Sequence, residues 1–573
     1  MPERRQVLAV IAGSGMGGLA GCAFLTDSNG DQDGDQQDGG TTQTETTTQE
    51  PPEAGQEYEQ VGPYTLAVFP RQRAVSWYVA TTAVVPMWEQ LGVDIEVKVE
   101  QLGPWFDRWL KTDFHVMQGA FSIGPWRIDP HVFLYDLWHS SRIGPSGNNA
   151  SNFSTPELDE ALENMNSTYD RAERQKFAHE AQAIIADGAP WVNLLYYQPL
   201  GAHSTEHFSG WSMVPARDPY TNVWNFSSLE PRTDVTDVVA GYTTDITTLN
   251  PMKSFGYEAH LIQKMHLDPL LAVDAQGQPQ PWAAADWDVV DDTTIDTFIR
   301  EGHTWHDGEP FTAEDVKFTM EYYQEWGAPN KQTYYEPIES VEIPEEGTAR
   351  FNLKRPWAPF VTVNLDQLVI LPEHHWDGIT DDLGVEHPGN IPLPDLPRVG
   401  SGPFTVEKVN YEEELVYNAN KEHFSGVSID RLIFRIYGGK AAAFGAFEKG
   451  DAHYIESLQP DQFQRVAGME GREGYQVTPL GWRNIRFNCQ REPFTDPTLR
   501  KALNHATDIE KIIAISFDGL HKPGTPSPIS PYNEFWHNPD VTQYPFDLAK
   551  ARDMLREGGY RWNDDGKLMR PVG

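Results

Sequence analysis

The alternation of apolar and polar positions divides the chain sharply near residue 64. Residues 64–69, Tyr-Thr-Leu-Ala-Val-Phe, read as a strand, and apolar residues at helical spacing predict one helix over 74–91. Residues 94–99 alternate as a second strand, 105–110 form a short helix and 114–121 a third strand. Strands alternating with helices in this way predict a parallel sheet covered by helices, hence an α/β fold. After a Gly-, Asn- and Ser-rich loop over 140–154, Thr155-Pro156 opens a helix, 169–187 form a longer one ended by Gly188, and 194–197 are again strand-like. Residues 229–237 are polar and read as a linker, and 238–243 start a new strand. A strand over 294–299, turn chemistry at 305–310 and the pair Thr312 and Asp315 announce a helix with a capping box, its inner face carrying Val316, Met320 and Tyr323. Residues 399–404 make a tight turn into a strand pair at 404–409 and 414–418, and 497–505, 508–515 and 548–557 are helical.

Ahead of residue 64 the pattern fits no core. Arg4 and Arg5 precede a short apolar stretch over 7–16 that runs into Leu19-Ala20-Gly21-Cys22, the order of a secretory signal. Those four residues resemble a lipobox, and the paired arginines resemble a twin-arginine export signal. Cys22 is then the expected lipid attachment point, two acyl chains giving stable anchoring. Gly13, Gly15 and Gly18 match the dinucleotide fingerprint only inside this signal, without a βαβ unit around them. Residues 27–60 are Asp, Gly, Gln, Thr, Glu and Pro with almost nothing apolar, a tether whose burial cannot offset chain entropy.

Composition sharpens this picture. The 573 residues are enough for two to four domains. The 44 Lys and Arg against 84 Asp and Glu give a net charge of −40, which repels phosphate backbones and excludes a nucleic-acid partner. Eleven of the acids and two of the bases lie before residue 61, so the remainder carries 73 acids against 42 bases, a balance of −31. Acidity of the folded surface itself reads as a halophile, in which concentrated salt screens self-repulsion. Beyond the N-terminus no stretch approaches the ~20 apolar residues of a membrane span. Cys22 and Cys489 offer neither a disulfide framework nor a thiolate zinc site.

Catalytic signatures are missing. There is no GxSxG elbow, P-loop or HExxH. The pairs His374/His375 and His303/His306 invite a metal reading, but no neighbouring spacing supplies the rest of a ligand set, so no metal or cofactor is expected. Carboxylates are too common in this chain to mark a glycosidase dyad. With 18 Trp, a ligand-stacking cleft is a natural expectation.

Residues 300–316, Arg-Glu-Gly-His-Thr-Trp-His-Asp-Gly-Glu-Pro-Phe-Thr-Ala-Glu-Asp-Val, closely resemble the R-x-G-x-x-F-H-D-G-x-P-x-T-A-x-D-V stretch of family 5 solute-binding proteins, the dipeptide and oligopeptide receptors of ABC importers. Leu249-Asn250-Pro251, Gly400-Ser401-Gly402-Pro403-Phe404, Phe487-Asn488 with Pro493-Phe494 and Asp496, and Arg500-Lys501-Ala502-Leu503 agree as well, as do Asp129-Pro130 to Tyr135 and Gly147-Asn148-Asn149. The order is not the family's. The segment around Asp129-Pro130 belongs near the family's C-terminus, and taking 238–573 before 61–228 restores the order, so a circular permutation is expected.

The resemblance implies a two-lobed, periplasmic-binding-protein-like α/β receptor (type II, cluster C) with an extra small lobe, permuted, lipid-anchored in the haloarchaeal manner and without enzymatic activity. The implied layout is a signal over 1–26 and a tether over 27–60. Lobe III follows from 61–194 and 488–573, lobe I from 195–265 (with linker 229–237) and 396–487, and lobe II from 266–395. A monomer on the outer face of the cell membrane would close by hinge motion on an oligopeptide or oligosaccharide and deliver it to ABC permease subunits. A surface-tethered carbohydrate-active or peptide-processing enzyme is the alternative. Where the peptide receptors carry an Asp for the ligand's α-amine, this chain has Trp126 followed by Arg127, which suit a sugar ring and a carboxylate or hydroxyls. Tyr242, Ser401, Trp482 and Asn484 complete the expected ligand contacts.

Overall fold

The computed structural model describes residues 56–572 except 72–74, 122–123, 145–146, 216–219, 244–245, 247, 254–261, 329–330 and 517–519. The signal, Cys22 and most of the tether lie outside the described residues. Residues 57–60, expected in the tether, instead form the strand Glu57–Gln60, paired antiparallel with Leu568–Val572 from Glu57 opposite Val572 to Gln60 opposite Met569. Val61 N–H continues the contact by donating to the Leu568 carbonyl at 2.8 Å.

The first sheet has six strands in the order Lys522–Pro523, Trp191–Tyr197, Gly481–Phe487, Val116–Phe121, Tyr64–Val68, Ile95–Val99. Tyr64–Val68 lies parallel to both Ile95–Val99 and Val116–Phe121, as the strand and helix alternation predicts. Gly481–Phe487 then enters antiparallel between Val116–Phe121 and Trp191–Tyr197, which makes the sheet mixed. Leu66, Val68, Trp88 and Val116 bury their side chains in one core with Ile485, Phe487, Leu499, Leu503, Ile512 and Leu555. Early and late parts of the chain therefore share a hydrophobic centre. The expected boundaries at 194/195 and 487/488 differ from this: Trp191–Tyr197 runs across the first, and all of Gly481–Phe487 belongs to this sheet.

The second sheet has seven strands in the order Phe404–Asn410, Glu414–Ala419, Arg431–Ile436, Asp237–Tyr242, Tyr454–Ile455, Leu200–Ser204, Arg472–Gln476. The third has four antiparallel strands, Ala284–Asp291, Thr294–Ile299, Thr348–Leu353 and Ile338–Glu342. Helix Ala313–Trp326 packs on the third sheet through Val316, Met320 and Tyr323. Its capping box is formed, Thr312 Oγ1 accepting from Asp315 N–H and the Asp315 carboxylate from Thr312 N–H.

One predicted helix divides. Residues 74–91 give Val75–Thr82 and Val85–Glu89, the second carrying Pro86 in its first turn, where the missing N–H interrupts the intrahelical ladder.

Candidate functional site

Side chains two apart on a strand share a face, and on Gly481–Phe487 this sets Trp482, Asn484 and Arg486 in a row. The partner strand places Gly119 opposite Asn484. A Cβ at Gly119 would stand 2.1 Å from Asn484 Oδ1 and 2.7 Å from Arg486 Nε, so the two polar side chains occupy space that only glycine leaves. Arg486 is 3% exposed, and its guanidinium lies 5.3 Å from the ring centres of both Trp109 and Trp482. Nη1 donates to the Asn148 carbonyl at 3.5 Å, in the Gly147-Asn148-Asn149 loop. Arg486 Nε and Nη2, and both polar atoms of the buried Asn484 amide, have no hydrogen-bond partner among the described residues. Burial pushes the Arg486 pKa down to about 10. A buried guanidinium pays a large desolvation cost unless a counter-charge and acceptors meet it, and the unpartnered donors of this row have the chemistry to meet an anionic acceptor.

Three of the expected contacts, Trp482, Asn484 and Arg127, gather here or beside it, and the backbone of Trp126 lies in the adjoining turn. Trp482 is fully buried, donating Nε1–H to the Pro528 carbonyl at 3.2 Å, lying edge-on to Trp191 and stacked on Phe121. The Arg127 guanidinium sits 4.6 Å over that same Phe121 ring. Trp126 belongs to the short turn Pro125–Ile128 beside it, and its side chain lies outside the described residues. Asn484 is in the row itself.

The other two sit elsewhere. Tyr242 is wholly buried in the second sheet, hydrogen-bonded to Thr221 and edge-on to Phe434. Ser401 is wholly buried, its Oγ accepting from Asp268 N–H at 3.3 Å. As placed, both side chains serve the packing of their own sheet and turn. Sequence reasoning missed Arg486; its place two residues after Asn484, on the same face of one strand, is the signal that could have found it.

The motif at 300–316 has a structural task. His306 accepts from Gly400 N–H at Nδ1 and donates from Nε2 to the Gly402 carbonyl at 2.9 Å, which fixes a neutral imidazole tautomer and clamps the turn Gly400-Ser401-Gly402. A Cβ at Gly400 would stand 1.7 Å from the His266 carbonyl oxygen, hence glycine there. Beneath it Asp268 is buried and accepts from Trp282 Nε1 at 2.6 Å, His303 Nε2 at 3.1 Å and His423 Nε2 at 3.4 Å. Burial opposes its ionisation, but the charge and hydrogen bonds of His423 and His303 outweigh it and hold the carboxyl well below the usual range. A cavity of about 160 Å³ opens beside this cluster, lined by Arg300, His303, His306, Asn420, His423 and Phe424 among others.

Among the described residues two groups have metal-ligand chemistry, against the expectation that nothing completes a set around the histidine pairs. One is the buried Asp268, His303 and His423, the other the exposed Asp307, His374 and His375. In each the tertiary fold supplies a carboxylate distant in sequence.

An α/β protein built on two large sheets and a third, smaller antiparallel one is the class these features define. The family model described as bacterial extracellular solute-binding proteins, family 5 (middle part), matches residues 278–571, and the chain belongs to that family, whose members bind solutes and are not enzymes. The chain is similar to the oligopeptide-binding protein AppA of Bacillus subtilis, 28% identical over 293 residues that cover 48% of this chain and 50% of that one. It is also similar to the dipeptide-binding protein of Escherichia coli, 25% identical over 300 residues covering 49% and 55%. The chain thus spans about half the length of these curated relatives. Among solved structures, a peptide-binding protein AppA from Clostridium difficile aligns with a TM-score of 0.48 at 21% identity, covering 57% of this chain and 66% of that one.

Proposed function

We propose that the protein is the substrate-binding receptor of an ABC importer and that its solute is peptide-like and carries a carboxylate. The carrying observation is the buried Arg486, with Asn484 beside it and no carboxylate compensating it among the described residues. A neutral oligosaccharide would leave that charge unmet, whereas a carboxylate would take two charge-assisted hydrogen bonds from Nε and Nη2. Trp126 in place of the amine-binding Asp disfavours a free ammonium and favours a blocked or acidic peptide. The receptor would be a monomer, anchored through Cys22 outside the cell and handing its solute to permease subunits.

The test is calorimetric titration in high salt with N-acetylated acidic peptides, their C-terminal amides and neutral oligosaccharides. Binding by the free acids, weakened at least tenfold in Arg486→Ala and by amidation, is expected. Tight binding of a neutral sugar, equal in wild type and Arg486→Ala, would sink the reading.

We also propose that the chain is a circular permutant of its family. Three observations support it. The family model covers only residues 278–571. The strands at 64–121 and 191–197 join Gly481–Phe487 in one sheet, and Glu57–Gln60 pairs with Leu568–Val572. The former ends would be joined through the short strand Glu230–Pro231, which pairs with Phe208–Ser209 before Asp237–Tyr242 begins. Such a cut leaves the contacts of a fold in place when the old ends lie close together.

A further inference from the structure

The exposed triad offers a site that the receptor reading does not use. Asp307 stands on the turn after strand Thr294–Ile299, where Gly308 takes a φ of +93° that favours glycine. One of its oxygens, Oδ1, accepts from Glu309 N–H at 3.3 Å. The other, Oδ2, meets His374 Nε2 at 2.9 Å and His375 Nε2 at 3.1 Å. Both histidines belong to the short helix Glu373–Trp376, which is held in place by Glu373 N–H donating to Asp315 Oδ1 at 3.1 Å. The capping residue of the neighbouring helix thereby fixes the height of the two imidazoles. Their rings are 4.5 Å apart and tilted by 50°, and the three ligand atoms all lie within 4.8 Å of one another.

We propose that Asp307, His374 and His375 hold a divalent transition-metal ion of the zinc class, with the remaining position open to water. Bonds of ~2.0–2.1 Å at a tetrahedral angle put ligand atoms about 3.3 Å apart, so the two separations from Asp307 Oδ2 need only a few tenths of an ångström of opening. Two imidazole nitrogens and one carboxylate oxygen suit zinc, cobalt or nickel, whereas calcium and magnesium take oxygen ligands. The side chains of Asp307, His374 and His375 are 32%, 35% and 39% exposed, so an ion has a path in. The buried triad makes the contrast. Asp268 spends its second oxygen on Trp282, and His423 Nδ1 accepts from Ser425 N–H, which leaves the ring proton on Nε2 as a donor to Asp268 and marks a hydrogen-bond cluster rather than a ligand set. A bound ion would tie the turn at 305–310 to the helix at 373–376 within the small lobe.

The experiment uses the full chain, stripped with chelator and titrated with Zn²⁺ in high salt with excess magnesium, which occupies the many surface carboxylates. Tetrahedral Co²⁺ absorption is the second readout. One equivalent of zinc and a cobalt spectrum are expected, with affinity falling at least tenfold in His375→Ala and in Asp307→Asn. The unfolding midpoint of the metal-free variants, unchanged from wild type, confirms that they fold. Failure of the wild type to bind zinc above the magnesium background, or equal affinity in wild type and both variants, would overturn the proposal and leave two imidazole N–H groups hydrogen-bonded to one carboxylate.

Discussion

Asp129 opens the Asp129-Pro130 segment, and replacing it by asparagine tests how the early half of the chain is locked to the small lobe. The carboxylate is 4% exposed and accepts four hydrogen bonds. Arg174 gives two, Nη1 and Nη2 at 2.7 Å each, Thr362 Oγ1 gives one at 2.6 Å, and His131 N–H gives one at 2.9 Å. Arg174, itself 3% exposed, spends Nε on the Met165 carbonyl at 2.9 Å. Asp129→Asn keeps the shape but removes the charge, so a buried guanidinium loses its counter-ion and meets an amide that returns only one acceptor. Breaking a buried pair from one side costs about 3–5 kcal/mol. The control is the exposed pair Asp553 and Arg556, where removing one partner should cost about 0–1 kcal/mol.

Denaturant unfolding of both variants across pH measures the difference. Burial raises the Asp129 pKa, the Arg174 charge and the hydrogen bonds lower it further, and the result stands below the usual value. A lowered carboxyl contributes stability that is present above its unfolded pKa of about 4 and is lost as pH falls through the folded value. The gap between wild type and Asp129→Asn should therefore be full at neutral pH and shrink in acid. A gap under about 1 kcal/mol at neutral pH, or one that persists unchanged into acid, would refute the argument.

Other outcomes follow from the proposed permutation and from the N-terminal sequence. A gene rearranged to run from 235 to 572, through a short linker, and on from 61 to 232 should give a folded protein with the wild-type ligand profile, read by circular dichroism and titration; an insoluble or non-binding product would count against the permutation. Cys22→Ser should move the protein from the membrane fraction to the medium, and retention after salt and carbonate washing would place the anchor elsewhere.

Much of the local structure was legible in the order of residues. Thr312 and Asp315 announce their helix because a capping box needs only groups three residues apart. Strand Thr294–Ile299 and helices Pro497–His505 and Leu548–Glu557 fall where the sequence pattern puts them, and the last buries Ala551 and Leu555 at helical spacing. The family motif was readable for the same reason, being one continuous stretch at 300–316. Partners were not. Nothing local to Asn484 and Arg486 says that Gly119 will face them, and nothing near His374 and His375 names Asp307 as their carboxylate. Glu57 opposite Val572 is the extreme case, because backbone hydrogen bonds between strands carry no side-chain signature and their register emerges only when distant segments bury a common core. A periodic pattern specifies what a segment must hide, and the tertiary structure decides against what, which is why elements were fixed by composition and spacing while the sites were fixed by long-range packing.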